Sequence, residues 1–263
     1  MSEDEVFVTV VAFVVGPVLW PIRLARWLQL RRSANAVRTV AAALTICAAI
    51  LLGVLTKLAA SDVVDAPVYI FMYFVLGLAW IRASESGFAL AGLSISDDAV
   101  ERGNGAALTA AVGALIGVTL CYAGANIGNG PGWWVVVFSA ALATAALFAC
   151  WIVLGSLTGV NDAVTIDRDP AAGIRLGAFL VACGLVLGRA VAGDWESAAR
   201  TVRDATVALP PLTLIVLIAF AFERFARPTA ERPRAPLLAL GVAPALSYLA
   251  IACAAVARLG WPA

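Results

Sequence analysis

Residues 133–156 read WWVVVFSAALATAALFACWIVLGS, a run of 24 residues without a charged side chain. About 20 consecutive apolar residues are enough for a helix to cross the hydrocarbon core of a bilayer. Seven further stretches have a similar apolar character. Together they predict eight membrane-spanning helices, at 6–22, 39–56, 66–81, 104–126, 133–156, 172–192, 206–222 and 236–257.

The overall composition agrees with a membrane protein. Hydrophobic residues make up 62% of the chain and charged residues only 13%, whereas soluble domains are about half apolar and about a quarter charged. A soluble core of this size could not bury the excess. We therefore predict an all-α, polytopic membrane helix bundle that forms a single domain over 1–263. The net charge of +1 excludes a strong basic field, so nucleic acid is not an expected partner.

Several kinds of chemistry lack their usual residues. The chain contains no histidine, which excludes Ser-His-Asp triads, Cys-His dyads and histidine-ligated zinc or haem. The cysteines are too far apart in sequence for a CxxC clip and fall inside apolar runs, so we interpret them as small buried apolar residues. We predict no cofactor, no metal site and no enzymatic activity. The first residues, Met-Ser-Glu-Asp-Glu, lack the positive start of a signal peptide, so 6–22 is interpreted as a mature helix.

Basic residues alternate between the connecting loops. Twelve arginines lie in loops 23–38, 82–103, 157–171 and 223–235, and only four basic residues lie on the other side, namely Lys57, Arg200, Arg203 and Arg258. Cytoplasmic loops of membrane proteins carry an excess of Arg and Lys. The alternation predicts that these four loops are cytoplasmic and that both termini lie outside the cytoplasm.

The middle of the chain contains a short internal repeat. Asp98-Ala99-Val100 followed by Glu101-Arg102 precedes the fourth span. Asp162-Ala163-Val164 followed by Asp167-Arg168 precedes the sixth, with two extra residues. Each copy comprises a helix, a cytoplasmic loop, an acidic cap and a second helix, in the same orientation. The chain is thus predicted to form four hairpins, at 6–56, 66–126 (repeat 1), 133–195 (repeat 2) and 206–257.

Polar residues converge on the starts of the two repeated helices. Asp169 followed by Pro170 is typical of a helix start, and Asn104 can cap in the same way. The nine candidate residues are Asp97, Asp98, Glu101, Arg102, Asn104, Asp162, Asp167, Arg168 and Asp169. In one interpretation they cap helices, favoured by the helix dipole, and pair with arginines. In the other they form a docking surface for a basic partner, or a place where a cation or proton enters the membrane.

Small residues at four-residue spacing predict close helix packing. They are Gly113 and Gly117 in the fourth span and Gly173, Gly177, Gly184 and Gly188 in the sixth. Such faces bring helix backbones together in lipid, either within one chain or between chains. The sixth span also contains Arg175 and Arg189. We interpret both as snorkelling to the interface, with Asp194 or Glu196 as a partner for Arg189.

These motifs resemble the repeat of the DUF350 (UPF0719) family of bacterial membrane proteins. The resemblance rests on ERGNGAA at 101–107, VGALIG at 112–117 and RAVAGDW at 189–195. It covers roughly 66–195 and excludes the two outer hairpins. The second copy departs from the Gly-Asn-x-Ala pattern, with DPAA at 169–172. The resemblance implies a bacterial inner membrane location and work beside other envelope proteins, with no established activity.

Two functions are compatible with these observations. The first is a non-enzymatic membrane scaffold or accessory subunit of a bacterial envelope complex, with lipid, other membrane proteins or further copies of the chain as partners. The alternative is a channel or transporter for an ion or small solute through the repeated hairpins. A continuous polar path past Asn104 and Pro170 would favour transport. A sealed bundle with an exposed glycine face would favour a scaffold.

Overall fold

The computed structural model describes residues 1–30, 34–226 and 236–260. Every regular element within these ranges is helical. Eight of the helices are long and apolar enough to cross a membrane, which confirms the predicted number and indicates an integral membrane protein. They are α1 (Glu3–Leu28), α2 (Ala34–Lys57), α3 (Pro67–Ala91), α4 (Gly105–Ala125), α5 (Trp133–Thr158), α6 (Pro170–Ala190), α7 (Ala198–Phe225) and α8 (Leu238–Leu259).

Several helices extend well beyond their predicted apolar stretches. The third was expected at 66–81, but α3 continues to Ala91. The first added turn is polar, and Arg82 and Glu85 form an ion pair on its face, with Nη1 2.8 Å from Oε2. The seventh was expected at 206–222, whereas α7 spans Ala198–Phe225. A hydropathy pattern detects the apolar middle of such a helix and misses its charged ends.

The core of the bundle is the pair α4 and α6. In their most apolar stretches, 72% and 78% of the residues are buried, against 17–44% in the other six helices. α5 packs beside both helices of the pair, α2 packs against α4, and α8 packs against α6. α1 lies mainly along α3. The other helices expose large apolar side chains such as Phe7 (69%) and Leu246 (61%), as expected where the outer surface faces lipid.

The first helix changes pitch where it meets the third. Residues Val14–Val18 form a π-helical turn around Pro17, which has no N–H to continue the α-helical pattern. Within this turn, a Cβ on Gly16 would lie 2.8 Å from the backbone nitrogen of Ala79. Glycine is therefore required for α1 and α3 to approach this closely.

Two ends of the bundle can now be defined. The cap end carries Asn104 and Asp169, together with the short helical segments Ile95–Glu101 and Val160–Thr165. The opposite end carries loop 126–132, residues 191–197 and the short helix Ser61–Val64. The arginine alternation predicts that the cap end is cytoplasmic.

Candidate functional site

Each repeated helix begins with a side-chain cap. The Oδ1 of Asn104 accepts hydrogen bonds from the backbone N–H groups of Ala106 and Ala107, at 3.0 and 3.2 Å. The carboxylate of Asp169 accepts from those of Ala171 and Ala172, at 3.2 and 3.1 Å. These bonds satisfy N–H groups that have no partner within the helix. Both caps are buried, which defines a structural role for Asn104 and Asp169.

The residues before the two caps have the same backbone conformation. Gly103 has φ +60° and Arg168 has φ +55°, both in the left-handed region that disfavours residues with a Cβ. Arg168 is the one non-glycine residue with positive φ among the residues described. The first copy thus uses glycine at this position, and the second copy places an arginine in a strained conformation.

Backbone hydrogen bonds show a further similarity between the two cap regions. They align the two regions one residue differently from the Asp-Ala-Val motif. The N–H of Asn104 donates to the carbonyl of Asp98 at 3.1 Å, and that of Asp169 donates to the carbonyl of Ala163 at 2.9 Å. Asp98 therefore occupies the position of Ala163. The two Asp-Ala-Val tripeptides that match in sequence do not occupy equivalent positions.

The two caps are joined into one surface. The Nδ2 of Asn104 donates to the carbonyl of Val164 at 2.8 Å, across 60 residues of sequence. Asn161 donates to the carbonyl of Ala91 at 2.8 Å and accepts from the indole of Trp151 at 3.1 Å. Neither Asn161 nor Trp151 was singled out from the sequence. A side chain that binds one distant carbonyl has no local pattern to reveal it.

The candidate residues divide into a buried and an exposed set. Asn104, Asp169 and Asp98 are buried, and Asp98 accepts from the N–H of Ser94 at 2.9 Å and pairs with Arg102 at 3.0 Å. Six members are exposed, namely Asp97, Glu101, Arg102, Asp162, Asp167 and Arg168. The four exposed acids form no ion pair within the described residues. We call Asp97, Glu101, Asp162 and Asp167 the acidic quartet.

Apolar side chains lie exposed at the same end. Ile166 is 71% exposed and follows the Val160–Thr165 segment, directly before Asp167 of the quartet. Leu90, in the last turn of α3, is 85% exposed. An apolar residue within a charged rim is the usual arrangement of a protein interface. Exposed acids and two exposed apolar side chains thus lie at the same end of the bundle.

The predicted glycines bring α4 and α6 into backbone contact. A Cβ on Gly117 would lie 2.6 Å from the carbonyl oxygen of Leu180, and one on Gly173 would lie 2.5 Å from that of Ala106. Gly113 meets Gly177 in the same way, and further contacts join Gly184 to Gly117 and Gly188 to Leu120. Gly124, which was not among the predicted residues, meets Gly188. The glycine face is thus occupied within the chain.

Arg175 does not snorkel, and that interpretation is wrong. Its side chain is 1% exposed and forms two bonds with Glu223 of α7, Nε to Oε1 at 2.6 Å and Nη2 to Oε2 at 2.8 Å. Its Nη1 donates to the carbonyl of Leu240, and Asp169 lies 4.0 Å away. An arginine inside a membrane is costly unless it is paired. That requirement signals that Arg175 needs a buried partner, but it does not identify Glu223, which lies 48 residues away.

A second buried carboxylate lies at the cap end. Glu85 of α3 is 4% exposed, and its two oxygens bind Arg23 of α1 at 2.9 Å and Arg82 at 2.8 Å. Arg23 also donates to the hydroxyl of Ser96 at 2.9 Å. Both arginines belong to predicted loops, 23–38 and 82–103. Because Glu85 joins α1, α3 and the first cap segment, it fixes the N-terminal part of the chain to the core.

The opposite end is tied by loops rather than by buried charges. The N–H of Gly193 donates to the carbonyl of Ile127 at 2.8 Å, and the N–H and Nδ2 of Asn129 donate to Asp194 at 2.7 and 2.9 Å. Arg189 donates instead to the carbonyls of Gly260 and Leu259, at 2.8 and 3.1 Å. The expected pairing of Arg189 with Asp194 or Glu196 is therefore wrong.

The cysteines are all free. Cys47, Cys121 and Cys183 are buried as expected, Cys150 is partly buried, and Cys253 is exposed on α8. Within residues 1–30, 34–226 and 236–260, no group of three or more His, Cys, Asp or Glu side chains is close enough to hold a metal ion. Five of the predicted cytoplasmic arginines, Arg31, Arg32, Arg227, Arg232 and Arg234, lie outside the described residues.

Comparison with known proteins identifies no relative. The sequence matches no protein-family model, no functionally curated protein and no solved structure at a significant level. The resemblance to the DUF350 (UPF0719) family therefore stays a prediction.

Proposed function

We propose that the chain is a non-enzymatic scaffold or accessory subunit of an envelope complex in the bacterial inner membrane. In this proposal a basic segment of a partner protein docks on the acidic quartet at the cap end. The observation that carries it is the division of the candidate residues. Asn104, Asp98 and Asp169 are used internally as caps and ion-pair partners, whereas the quartet is exposed and unpaired within the described chain.

The neighbourhood of the quartet supports a protein partner. Asn104 binds the second cap segment, and Asn161 of that segment binds the end of α3, so hydrogen bonds tie the elements that carry the exposed acids. Within the two cap segments the exposed charges are the four acids, Arg102 and Arg168, which is a local excess of two acids. Exposed Ile166 and Leu90 add apolar contact area. Complementary charge guides the encounter, and the apolar side chains contribute burial.

The packing of the repeated helices weighs against the transport alternative. A path for ions or solutes between them would pass Asn104 and Pro170. Pro170 is exposed, but Asn104 is 2% exposed, and α4 and α6 touch backbone to backbone along their glycines. Because these glycines are already used within the chain, a homo-oligomer would have to form through other surfaces. A scaffold was expected to bind its partner through an exposed glycine face. In this proposal the partner binds the acidic quartet instead.

The remaining parts of the proposal rest on the sequence. The arginine alternation places the cap end in the cytoplasm and both termini outside it. The likeness of the two caps supports a common origin of the hairpins 66–126 and 133–195, as the DUF350 resemblance implies. The shared features are a side-chain cap, a left-handed residue before it and the same backbone hydrogen bond.

Co-purification from native membranes tests the proposal. A variant in which Asp97→Asn, Glu101→Gln, Asp162→Asn and Asp167→Asn are combined should fold and lose the co-purifying partner. Wild type should release that partner progressively as salt rises, because exposed charge pairs are screened over about 8–10 Å at 0.1–0.15 M salt. A photo-crosslinker at position 166 should capture the same partner, and one at lipid-facing position 246 should not.

A matched set of neutralisations serves as the control. Glu3→Gln, Asp65→Asn and Glu196→Gln change exposed acids at the opposite end and should leave the complex intact. If the quartet variant retains its partner at wild-type salt resistance, the docking proposal is wrong. A selective ion flux through the purified protein in liposomes, abolished by the quartet variant, would establish the transport alternative instead.

A further inference from the structure

A small polar cavity opens between the helix ends at the opposite end of the bundle. Its volume is about 40 Å³, and its lining includes Asp62, Tyr73, Asn126, Ser139 and Trp195. Tyr73 lies six residues into α3 and Ser139 six residues into α5. The cavity therefore reaches about 9 Å below the helix ends at 1.5 Å per residue. Since a single water needs about 10–15 Å³ of such space, the cavity accommodates about three or four heavy atoms.

Polar atoms that face this cavity lack protein partners. Ser139 is 4% exposed and Asn126 is 6% exposed. The amide nitrogen of Asn126 donates to the carbonyl of Tyr122 at 2.8 Å, which leaves its Oδ1 as a free acceptor. The hydroxyls of Ser139 and Tyr73 form no hydrogen bond within the described chain. These oxygens line the cavity as hydrogen-bond acceptors, so a small molecule with N–H donors that enters it finds several acceptors together.

The charges around the cavity determine the chemistry of that occupant. Asp62 contributes a carboxylate that forms no ion pair with any described residue, and none of the described lining residues is basic. Tyr73 and Trp195 contribute aromatic rings. The side chains of the opposite end comprise eight acids and five bases. The acids are Glu3, Asp4, Glu5, Asp62, Asp65, Asp194, Glu196 and Asp204. The bases are Lys57, Arg189, Arg200, Arg203 and Arg258.

We propose that this cavity binds a small organic ammonium ion. An ammonium group carries three N–H donors and no acceptor, which matches a lining of carboxylate, amide oxygen and hydroxyl oxygens. Its alkyl group would lie against Tyr73 or Trp195, where cation–π attraction adds to binding. The site lies at the end of the bundle away from the acidic quartet and is independent of the docking function.

Titration of the purified protein with methylammonium chloride tests this assignment. Methylammonium has two heavy atoms and fits the cavity volume. We expect a saturable rise in the thermal unfolding midpoint of wild type, accompanied by broadening of the methylammonium methyl NMR signal. Methanol, a neutral molecule of the same size, and sodium chloride at equal ionic strength should produce neither effect.

Variants separate the site from general charge attraction. Asp62→Asn should weaken binding roughly tenfold or more, since it removes the negative charge that pairs with the ammonium group. Asp65→Asn, in the same exposed segment but outside the cavity lining, should bind like wild type. Ser139→Ala should weaken binding by removing an acceptor inside the cavity.

Four outcomes would overturn the proposal. They are the absence of saturable binding, equal binding of methanol, equal binding of sodium, and undiminished affinity in both Asp62→Asn and Ser139→Ala. The first would leave water as the occupant, and the third would indicate an alkali-metal site.

Discussion

Arg175 of α6 and Glu223 of α7 face each other across 48 residues of sequence and bind through two hydrogen bonds, of 2.6 and 2.8 Å. Both side chains are almost completely buried, at 1% and 4% exposure. Because Arg175 also donates to the carbonyl of Leu240 in α8, one guanidinium holds the last two helices on the core. The contribution of such a pair is largely geometric, since the cost of removing two charges from water offsets much of their attraction.

Removing one partner of this pair should be far more harmful than removing both. Glu223→Ala leaves Arg175 buried without its carboxylate and is expected to lower the free energy of unfolding by about 3–5 kcal/mol. The double variant Arg175→Leu with Glu223→Leu should recover most of that loss. Unfolding of the purified variants in increasing denaturing detergent measures both. Arg200→Ala provides the control, because its pair with Asp204 is half exposed and should contribute under about 1 kcal/mol. Equal stability of Glu223→Ala and wild type would contradict the prediction.

Enlarging the glycines between α4 and α6 should separate the two helices. Gly117→Leu and Gly184→Leu force side chains into the backbone of the facing helix, with an expected cost of about 1–3 kcal/mol by analogy with overpacked cores. The control is Gly53→Leu, since no atom lies within 4 Å of a Cβ at Gly53 in α2. Folded yield and thermal midpoint in detergent are the measurements. Wild-type values for both core variants would show that the helices do not touch there.

Replacing Arg168, the strained residue before the second cap, with glycine should stabilise the protein. Arg168 has φ +55°, a conformation that costs a non-glycine residue about 1–2 kcal/mol. Arg168→Gly should therefore raise the free energy of unfolding by roughly 1 kcal/mol, and Gly103→Ala should lower it by a similar amount. Arg168→Ala removes the charge but keeps the strain, so it should match wild type. A stabilisation by Arg168→Ala as large as that by Arg168→Gly would trace the effect to charge rather than to the backbone.

The orientation in the membrane can be tested at two exposed acids. In a cysteine-free background, Glu196→Cys at the opposite end should react with an impermeant maleimide on intact cells. Glu101→Cys at the cap end should react only after the membrane is permeabilised. The arginine alternation between loops is the physical reason for this expectation. Labelling of position 101 in intact cells would show that the predicted topology is inverted.

Sequence predicted the number and approximate positions of the spans because lipid imposes a local requirement. Each helix must satisfy its own backbone and cover about 30 Å with apolar side chains, and both constraints are visible within 20 residues. The caps were predictable for the same reason. Asn104 and Asp169 act on N–H groups only two and three residues away.

The ion pairs were not predictable because their partners are distant in sequence. Glu85 lies four residues and Glu223 one residue after the end of a predicted span, so both belong to predicted loops, although each is 4% exposed within a helix end. Nothing near Arg175 in sequence indicates Glu223, 48 residues away. Likewise, the spacing of Gly113 and Gly117 predicts a packing face but does not specify which helix packs against it.

The mutual packing of α4 and α6 also has a consequence for biogenesis. The ribosome completes α4 at Ala125 and does not complete α6 until Ala190, which at 5–20 residues per second is a delay of about 3–13 s. During that interval the glycine face of α4 has no α6 to pack against. Assembly of the core is therefore a late event in synthesis, and an insertase or chaperone that shields a Gly- and Ala-rich helix would act on this chain at that moment.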